Sequence, residues 1–377
     1  MTSPSSHPRK TRVAVIFGGR SGEHDVSLMS ARSVLDALDK EKYETIQIGI
    51  TLDGNWLTGV NALEAFEKND VAYLDRVIPS SEPSRHSLYV TRSTKLGDKL
   101  ETLVGVDVFF PVLHGTFGED GTMQGLFELA DVAYVGAGVA GSAVGMDKGI
   151  FKDVMRANGI PIVDSTLVLR SEIEKDMNAV IEKVEALGAY PFFVKPANLG
   201  SSVGISKCNS RSDLSEGLIE AARYDRRVIV EKGAGNAREI EVSVLGNEDP
   251  QTSVCGEVLP SREFYSYESK YVDGTSGLII PAQIPAETSE QIRAYAAQAY
   301  KAIDCAGMAR VDFFVDKETH KIYLNELNTL PGFTSISMYP KLWQASGLTY
   351  PQLIDRLIEL ALERKAQRDR TERRRLA

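Results

Sequence analysis

Arg310, Asp312, Glu326 and Asn328 fall at alternating positions of two short strand-like runs, Met308 to Val315 and Lys321 to Asn328. The polar link between the runs, Asp316-Lys317-Glu318-Thr319-His320, is short enough to make a hairpin. Strand side chains alternate in direction, so Arg310 and Asp312 share one face of the first strand, and Glu326 and Asn328 one face of the second. With Asp312 roughly opposite Glu326, two carboxylates, an amide carbonyl and a guanidinium converge. A donor set of oxygens without His or Cys suits a hard cation such as Mg²⁺, which keeps its other positions for water and phosphate oxygens. That chemistry is a metal-nucleotide site beside an anion-binding arginine. The alternative is a polar hairpin face in solvent, and it is disfavoured because the charges interrupt residues that read as buried, Val311, Phe313, Phe314 and Val315.

Other segments carry weaker signals. Lys195 ends the strand-like run Pro191-Phe192-Phe193-Val194 and precedes Ala197-Asn198-Leu199-Gly200-Ser201-Ser202-Val203-Gly204, a loop whose amides could approach phosphate closely. It lacks the G-K-[ST] of a Walker loop, and alone it reads as a turn beside a surface lysine. Glu231, at the end of Val228-Ile229-Val230, and Glu239, near the start of the next run, could accept ribose hydroxyls or serve as edge-strand charges. Phe264 to Tyr271 lies in an aperiodic stretch reaching Pro281, the form of a lid or of a loop packed on the core. The turn Gly18-Gly19-Arg20-Ser21-Gly22-Glu23 departs from G-x-G-x-x-G, and no acidic residue ends the second strand, so a dinucleotide fold of the NAD type is the lesser reading. Glu23, His24 and Asp25 read as helix-capping residues.

The elements that must hold these residues alternate between strand and helix. Arg12 to Phe17, a glycine turn, and a helix through Leu28, Val34, Leu35 and Leu38 open an α/β unit; Tyr43 to Ile50 and Val104 to Val112 supply further strands. Asp70 to Lys99 reads as polar and irregular. The character changes at Asp147-Lys148, where another helix begins. The 377 residues suffice for two or three domains, and the formal charge of −9 argues against a general nucleic-acid binder. Cys208, Cys255 and Cys305 are odd in number and far apart, which suits a reducing cytoplasm and indicates neither disulfides nor a thiolate metal site. No apolar run is long enough to span a bilayer. Residues 1–10 read as a disordered tail, and the basic run over 364–377 continues the helical pattern of Leu353, Leu357, Leu360 and Ala361 into a solvated, fraying helix end.

Taken together, Gly18 to Ser27, Leu113-His114-Gly115 with Gly118 to Gly121, Gly145-Met146-Asp147-Lys148, Gly200 to Gly204, Tyr267 to Tyr271 and Asn325 to Thr334 resemble the D-alanine–D-alanine ligase family of the ATP-grasp superfamily. The resemblance runs from about Arg12 to Leu362. It implies an α/β, three-domain ATP-grasp architecture with a Rossmann-like N-terminal domain, over residues 11–140, 141–230 and 231–363, with a lid loop at 262–281. It implies ATP-dependent joining of two D-alanines through a D-alanyl phosphate for peptidoglycan precursor synthesis. A related ligase taking D-serine, D-lactate or another acceptor is the alternative.

Residue by residue, the resemblance gives Lys148, Lys195 and Lys270 to the nucleotide phosphates. Glu231, Lys232 and Glu239 go to the adenine and ribose side. Asp312, Glu326 and Asn328 would hold two Mg²⁺ ions, for which Mn²⁺ could substitute. Glu23, with His114 nearby, would hold the first D-alanine ammonium, and Ser201 and Tyr271 would join Glu23 in a latch. Arg310 and the Gly332 amide would form the oxyanion site, and Ser337 would fix the second carboxylate. A cytoplasmic homodimer acting on small molecules, without nucleic-acid or membrane partners, is also implied.

Overall fold

The computed structural model describes residues 9–83, 85–95, 97–200, 203–259 and 277–372. Strand β1 (Thr11–Gly18) is apolar from Val13 to Phe17 because it pairs in parallel on both sides, with β2 (Tyr43–Ile50) and with β7 (Val108–Pro111). Helix α1 (His24–Ala37) follows the glycine turn and packs on β1. Among the described residues these strands belong to an eight-stranded sheet that also holds β3 (Trp56–Thr58), β4 (Asp75–Pro79), β5 (Ser87–Thr94), β6 (Gly97–Gly105) and β8 (Ala133–Tyr134), in the order β6-β5-β4-β3-β2-β1-β7-β8.

Two expectations are corrected here. The stretch from Asp70 to Lys99 is an antiparallel extension of the sheet rather than irregular chain. Its outermost strand, β6, is exposed along most of its length, so it needs little of the apolar alternation that announces a strand. The single strand expected from Val104 to Val112 is two strands. The chain turns at Val106 and Asp107, where the Val106 amide donates to the His86 carbonyl (2.9 Å) and the Asp107 carboxylate accepts from the Arg12 amide (2.8 Å).

Helices α2 (Ala62–Glu67), α3 (Thr122–Leu129) and α4 (Val139–Met146) complete this part, and α5 (Lys148–Ala157) begins the next. Asp147 caps α5 by accepting from the Gly149 (3.0 Å) and Ile150 (2.9 Å) amides. A four-stranded sheet follows in the order β11-β10-β12-β9, built from β9 (Ser165–Leu169), β10 (Phe192–Pro196), β11 (Ser206–Cys208) and β12 (Arg227–Lys232). Helices α6 (Arg170–Lys175), α7 (Met177–Glu185) and α8 (Arg211–Tyr224) cover it with Val180, Val184, Leu214 and Leu218.

The last sheet has the order β15-β14-β13-β16-β17, from β13 (Ala237–Gly246), β14 (Gln251–Leu259), β15 (Gly277–Ile279), β16 (Gly307–Asp316) and β17 (Ile322–Asn328). Strand β15 places the end of the expected lid stretch in the sheet, paired with β14. Helix α9 (Ala286–Ala302) buries Ile292, Ala296 and Tyr300 against it. Helices α10 (Met338–Ala345) and α11 (Tyr350–Asp369) close the chain, and Leu353, Leu357 and Leu360 of α11 share one core with Val13, Val15 and Phe17 of β1.

The solvated, fraying helix end expected from residue 364 is therefore displaced. Helix α11 runs on to Asp369, and Arg364, Lys365 and Arg368 reach α3 and the chain on either side of β8. The Arg364 guanidinium lies 4.1 Å from the Tyr134 ring centre, and Arg368 donates to Glu128 (2.5 Å), Asp131 (3.2 Å) and the Val132 carbonyl (3.0 Å). Basic residues that look solvated in sequence have acidic and carbonyl partners supplied from more than two hundred residues away. Among the described residues, no helix is long and apolar enough to cross a membrane, and Cys208, Cys255 and Cys305 are buried free thiols.

Candidate active site

Strands β16 and β17 pair antiparallel with Asp312 opposite Glu326 and Arg310 opposite Asn328, the register expected from alternation. A bulge after Asp312 does not disturb those pairs, and Asp316 fixes the link by accepting from the Glu318 (3.1 Å) and Thr319 (2.7 Å) amides. Val311, Phe313 and Val315 are buried, whereas Phe314 is half-buried on the side of Arg310 and Asp312. Arg310 grips Asp312 with Nε and Nη2, each at 2.7 Å, and Nε also lies 3.0 Å from Glu241 Oε2 of β13. Asn328 Nδ2 donates to Asp312 Oδ2 at 3.1 Å. Two carboxylates and an amide thus share one hairpin face, a hard-oxygen set that fits Mg²⁺.

Strands β10 and β12 aim a second group of charges toward that face. Lys195 Nζ donates to Glu231 Oε2 at 2.7 Å, and Lys152 Nζ, from α5, lies 3.0 Å from Glu231 Oε1. Strand β12 lies inside its sheet, and Glu231 is 3% exposed, so the edge-strand reading of this residue fails. Burial would raise the Glu231 pKa, but Lys152 and Lys195 overcome it and hold the carboxyl down at about 2. Burial opposes the charge on Lys195, yet Glu231, Glu326 and Glu239 outweigh it and raise its pKa. Lys148 Nζ donates to the Leu199 carbonyl (2.8 Å) and stands 4.0 Å from Glu326 Oε2, joining the two charge groups.

A third group lies at the first sheet. Ser21 Oγ donates to the His114 carbonyl (2.8 Å) and accepts from the Glu23 amide (3.0 Å). Glu23 makes no side-chain cap bond to α1. Its carboxylate turns instead to the Gly115 and Gly200 backbones, where an added methyl would meet Oε2 at 2.7 and 3.2 Å. Buried His114 uses Nδ1 on the Leu330 carbonyl (2.9 Å) and Nε2 on Ser30 Oγ (3.1 Å), tying the loop after β17 to the first sheet. Desolvation disfavours its charged form, but Glu119, 3.8 Å away, and Glu23 more than offset this and raise its pKa. Burial in turn raises the pKa of Glu119.

Sequence models of the D-ala D-ala ligase N-terminus and C-terminus match residues 12–137 and 154–359. The chain belongs to the D-alanine–D-alanine ligase family. The D-alanine–D-alanine ligase of Acetivibrio thermocellus is 50% identical over 364 residues, covering 94% of this chain and 96% of that protein. That of Thermoanaerobacter pseudethanolicus is 50% identical over 360 residues, covering 94% and 97%. Among solved structures, the VanG D-Ala:D-Ser ligase of Enterococcus faecalis aligns with a TM-score of 0.82 at 36% identity, over 94% of this chain and all of that one. The D-alanine–D-alanine ligase of Coxiella burnetii gives 0.82 at 34% identity over 96% and 97%.

Of the expected residues, Arg310, Asp312, Glu326, Asn328, Lys148, Lys195 and Glu231 gather about the hairpin face, and Glu23 and His114 lie together at the first sheet. Lys232 is exposed and stands off from the cluster, its ammonium beside Gly188, where an added methyl would meet Nζ at 3.1 Å. Glu239 is half-buried on β13, opposite Phe314 of β16. Gly332 lies between Leu330, held by His114, and Phe333, whose amide donates to Ser30 Oγ (3.4 Å). Ser337 Oγ accepts from the Thr334 amide at 3.1 Å. Ser201, Lys270 and Tyr271 lie outside the described residues. Lys152, Glu241, Glu119 and Ser30 were not anticipated. A spacing of four residues on one helix, Lys148 to Lys152, was the available signal for the first of them.

Proposed function

We infer that the protein joins D-alanine to D-alanine with consumption of ATP, yielding ADP and phosphate, and so supplies a peptidoglycan precursor. The observation that carries this is the meeting of Lys148, at the start of α5, with Glu326 of β17 (4.0 Å), beside the Arg310–Asp312–Asn328 face. Basic groups for phosphate and oxygen ligands for a hard cation then stand together, as phosphoryl transfer requires.

In this reading Lys148 and Lys195 hold the nucleotide phosphates, with Lys270 reaching them from the lid, and Glu239 and the backbone segment through Glu231 and Lys232 line the adenine and ribose side, the Glu231 carboxylate itself being taken up by Lys195 and Lys152. Glu23, near His114, holds the ammonium of the first D-alanine. The carboxylate of that D-alanine attacks the γ-phosphorus, the bond to the β-phosphate oxygen breaks, and ADP leaves an acyl phosphate. The second D-alanine, its carboxylate at Ser337, attacks the acyl carbon through its neutral amine after giving up a proton. Arg310 and the Gly332 amide stabilise the oxyanion, and phosphate departs. Asp312, Glu326 and Asn328 would hold Mg²⁺, as two ions replaceable by Mn²⁺, which when bound neutralises phosphate charge. Ser201 and Tyr271 with Glu23 would close the lid and keep water from the acyl phosphate.

D-alanine is favoured as acceptor over D-serine or D-lactate because relatives 50% identical over nearly the whole chain are named D-alanine–D-alanine ligase. The reading extends to a cytoplasmic homodimer acting on small molecules without nucleic-acid or membrane partners; the formal charge of −9 supports the exclusion of a general nucleic-acid partner. The test supplies ATP, Mg²⁺ and D-alanine, alone or with equimolar D-serine or D-lactate, and resolves the products. D-alanyl-D-alanine should dominate in every mixture. ADP release that does not depend on D-alanine would end the reading.

A further inference from the structure

Lys152 has no part in the reaction as described above, yet it is among the most deeply buried charges in the fold, 1% exposed on α5. Placing an ammonium there is unfavourable, and burial lowers its pKa against the opposing pull of Glu231. Glu231 is shared: Lys195 donates to Oε2 at 2.7 Å, while Lys152 Nζ stands 3.0 Å from Oε1 as an ion-pair partner without hydrogen-bond alignment. One carboxylate between two ammoniums gives these three residues a sum of +1, with Glu326 and Glu239 acting on Lys195 from further off. Lys195 is the more accessible of the two lysines, with 12% of its side chain exposed against 2% for Lys152, so the surplus charge is presented through Lys195. Without Lys152, Lys195 and Glu231 would make a closed, neutral ion pair. A neutral pair attracts a polyphosphate far less than an ammonium whose counter-charge is already taken up from behind.

We propose that Lys152 is a positioning residue that occupies one oxygen of Glu231 from the rear, so that the Lys195 ammonium keeps an unbalanced positive charge for the nucleotide phosphates. Lys152 does not touch the nucleotide in this account; it acts through Glu231 and Lys195. The proposal rests on the ATP-dependent reading, and its test separates the two. Wild-type protein is titrated calorimetrically with MgADP and with adenosine. Wild-type protein that binds neither MgADP nor adenosine refutes the nucleotide reading itself, whatever Lys152 does.

With wild-type binding in hand, Lys152→Met and Lys152→Gln, which remove the charge, should weaken ADP by about tenfold or more, equivalent to about 1.4 kcal/mol, and change adenosine affinity by less than about twofold. Lys152→Arg keeps the charge and should bind ADP nearly as the wild type does. A general distortion of the site would weaken adenosine and ADP alike, and that result overturns the proposal. So does unchanged ADP affinity in a folded neutral variant, or an equal loss in Lys152→Arg. Failure of both neutral variants to fold would assign Lys152 to stability alone and equally overturn it.

Discussion

Gly115→Ala tests the placement of Glu23 without altering a charged group. Gly115 has φ +73°, and a methyl added there would stand 2.7 Å from Glu23 Oε2 and 3.1 Å from Ser21 Oγ. Forcing alanine into the left-handed region costs about 1 kcal/mol of stability, which a folded enzyme of this size tolerates. The larger consequence falls on the carboxylate, which must retreat by roughly 0.8 Å to reach an ordinary contact of about 3.5 Å. A hydrogen bond from an ammonium to a carboxylate contributes about 1.5–3 kcal/mol, so misplacing Glu23 should raise the KM of the first D-alanine about 10- to 100-fold. The KM for ATP should hardly move, because the nucleotide charges belong to Lys148, Lys195 and Glu231. The assay is steady-state ADP release against D-alanine concentration at saturating ATP, fitted with separate constants for the two amino-acid sites. A folded variant with an unchanged first-site KM would refute the assignment of Glu23 to the ammonium.

Arg310→Met should lower kcat by about 10²–10³, the usual cost of losing an oxyanion donor, with a smaller effect on the KM for ATP; a pure KM effect would make Arg310 a binding residue only. Glu231 should give stability an acid limb. Its folded pKa, about 2, lies below the ordinary 4.5, so its contribution, on the order of 3 kcal/mol, is complete above pH 4.5 and is lost as pH falls toward 2. In urea titrations the gap between wild type and Glu231→Gln should therefore shrink from pH 7 to pH 3, and a constant gap would contradict this. Arg364→Ala with Arg368→Ala removes contacts from α11 to Tyr134, Glu128 and Asp131. Scanning calorimetry should show a melting temperature lower by about 2–4 °C per kcal/mol lost, and an unchanged value would return that helix end to the status of a solvated tail.

The hairpin was legible in sequence because its information is local. Alternation decides which side chains share a face, and the short polar link leaves few registers in which Asp312 can meet Glu326. Lys152 was not legible for the opposite reason. A lysine in an amphipathic helix reads as solvated, and only the folding of β10 and β12 beneath α5 brings Lys195 and Glu231 to it. Glu241 is similar: it lies on β13, which pairs with β16 from far along the chain. Strand β6 escaped notice because an exposed edge strand carries little hydrophobic signal, whereas β4 and β5 bury only the scattered Val77, Leu88 and Val90 among polar residues. The basic end of α11 was misread because its partners, Glu128 and Asp131, belong to the first sheet's surroundings.

Capture of the γ-phosphate by the carboxylate of one D-alanine, before a second D-alanine attacks the acyl carbon, leaves its mark in oxygen transfer. D-alanine labelled with ¹⁸O in both carboxylate oxygens is incubated with the protein, ATP and Mg²⁺, and the phosphate and dipeptide are weighed by mass spectrometry. The acyl phosphate breaks at its carbonyl carbon, so phosphate should carry one labelled oxygen for each D-alanyl-D-alanine formed. Phosphate without label, or label appearing without dipeptide, would contradict the account.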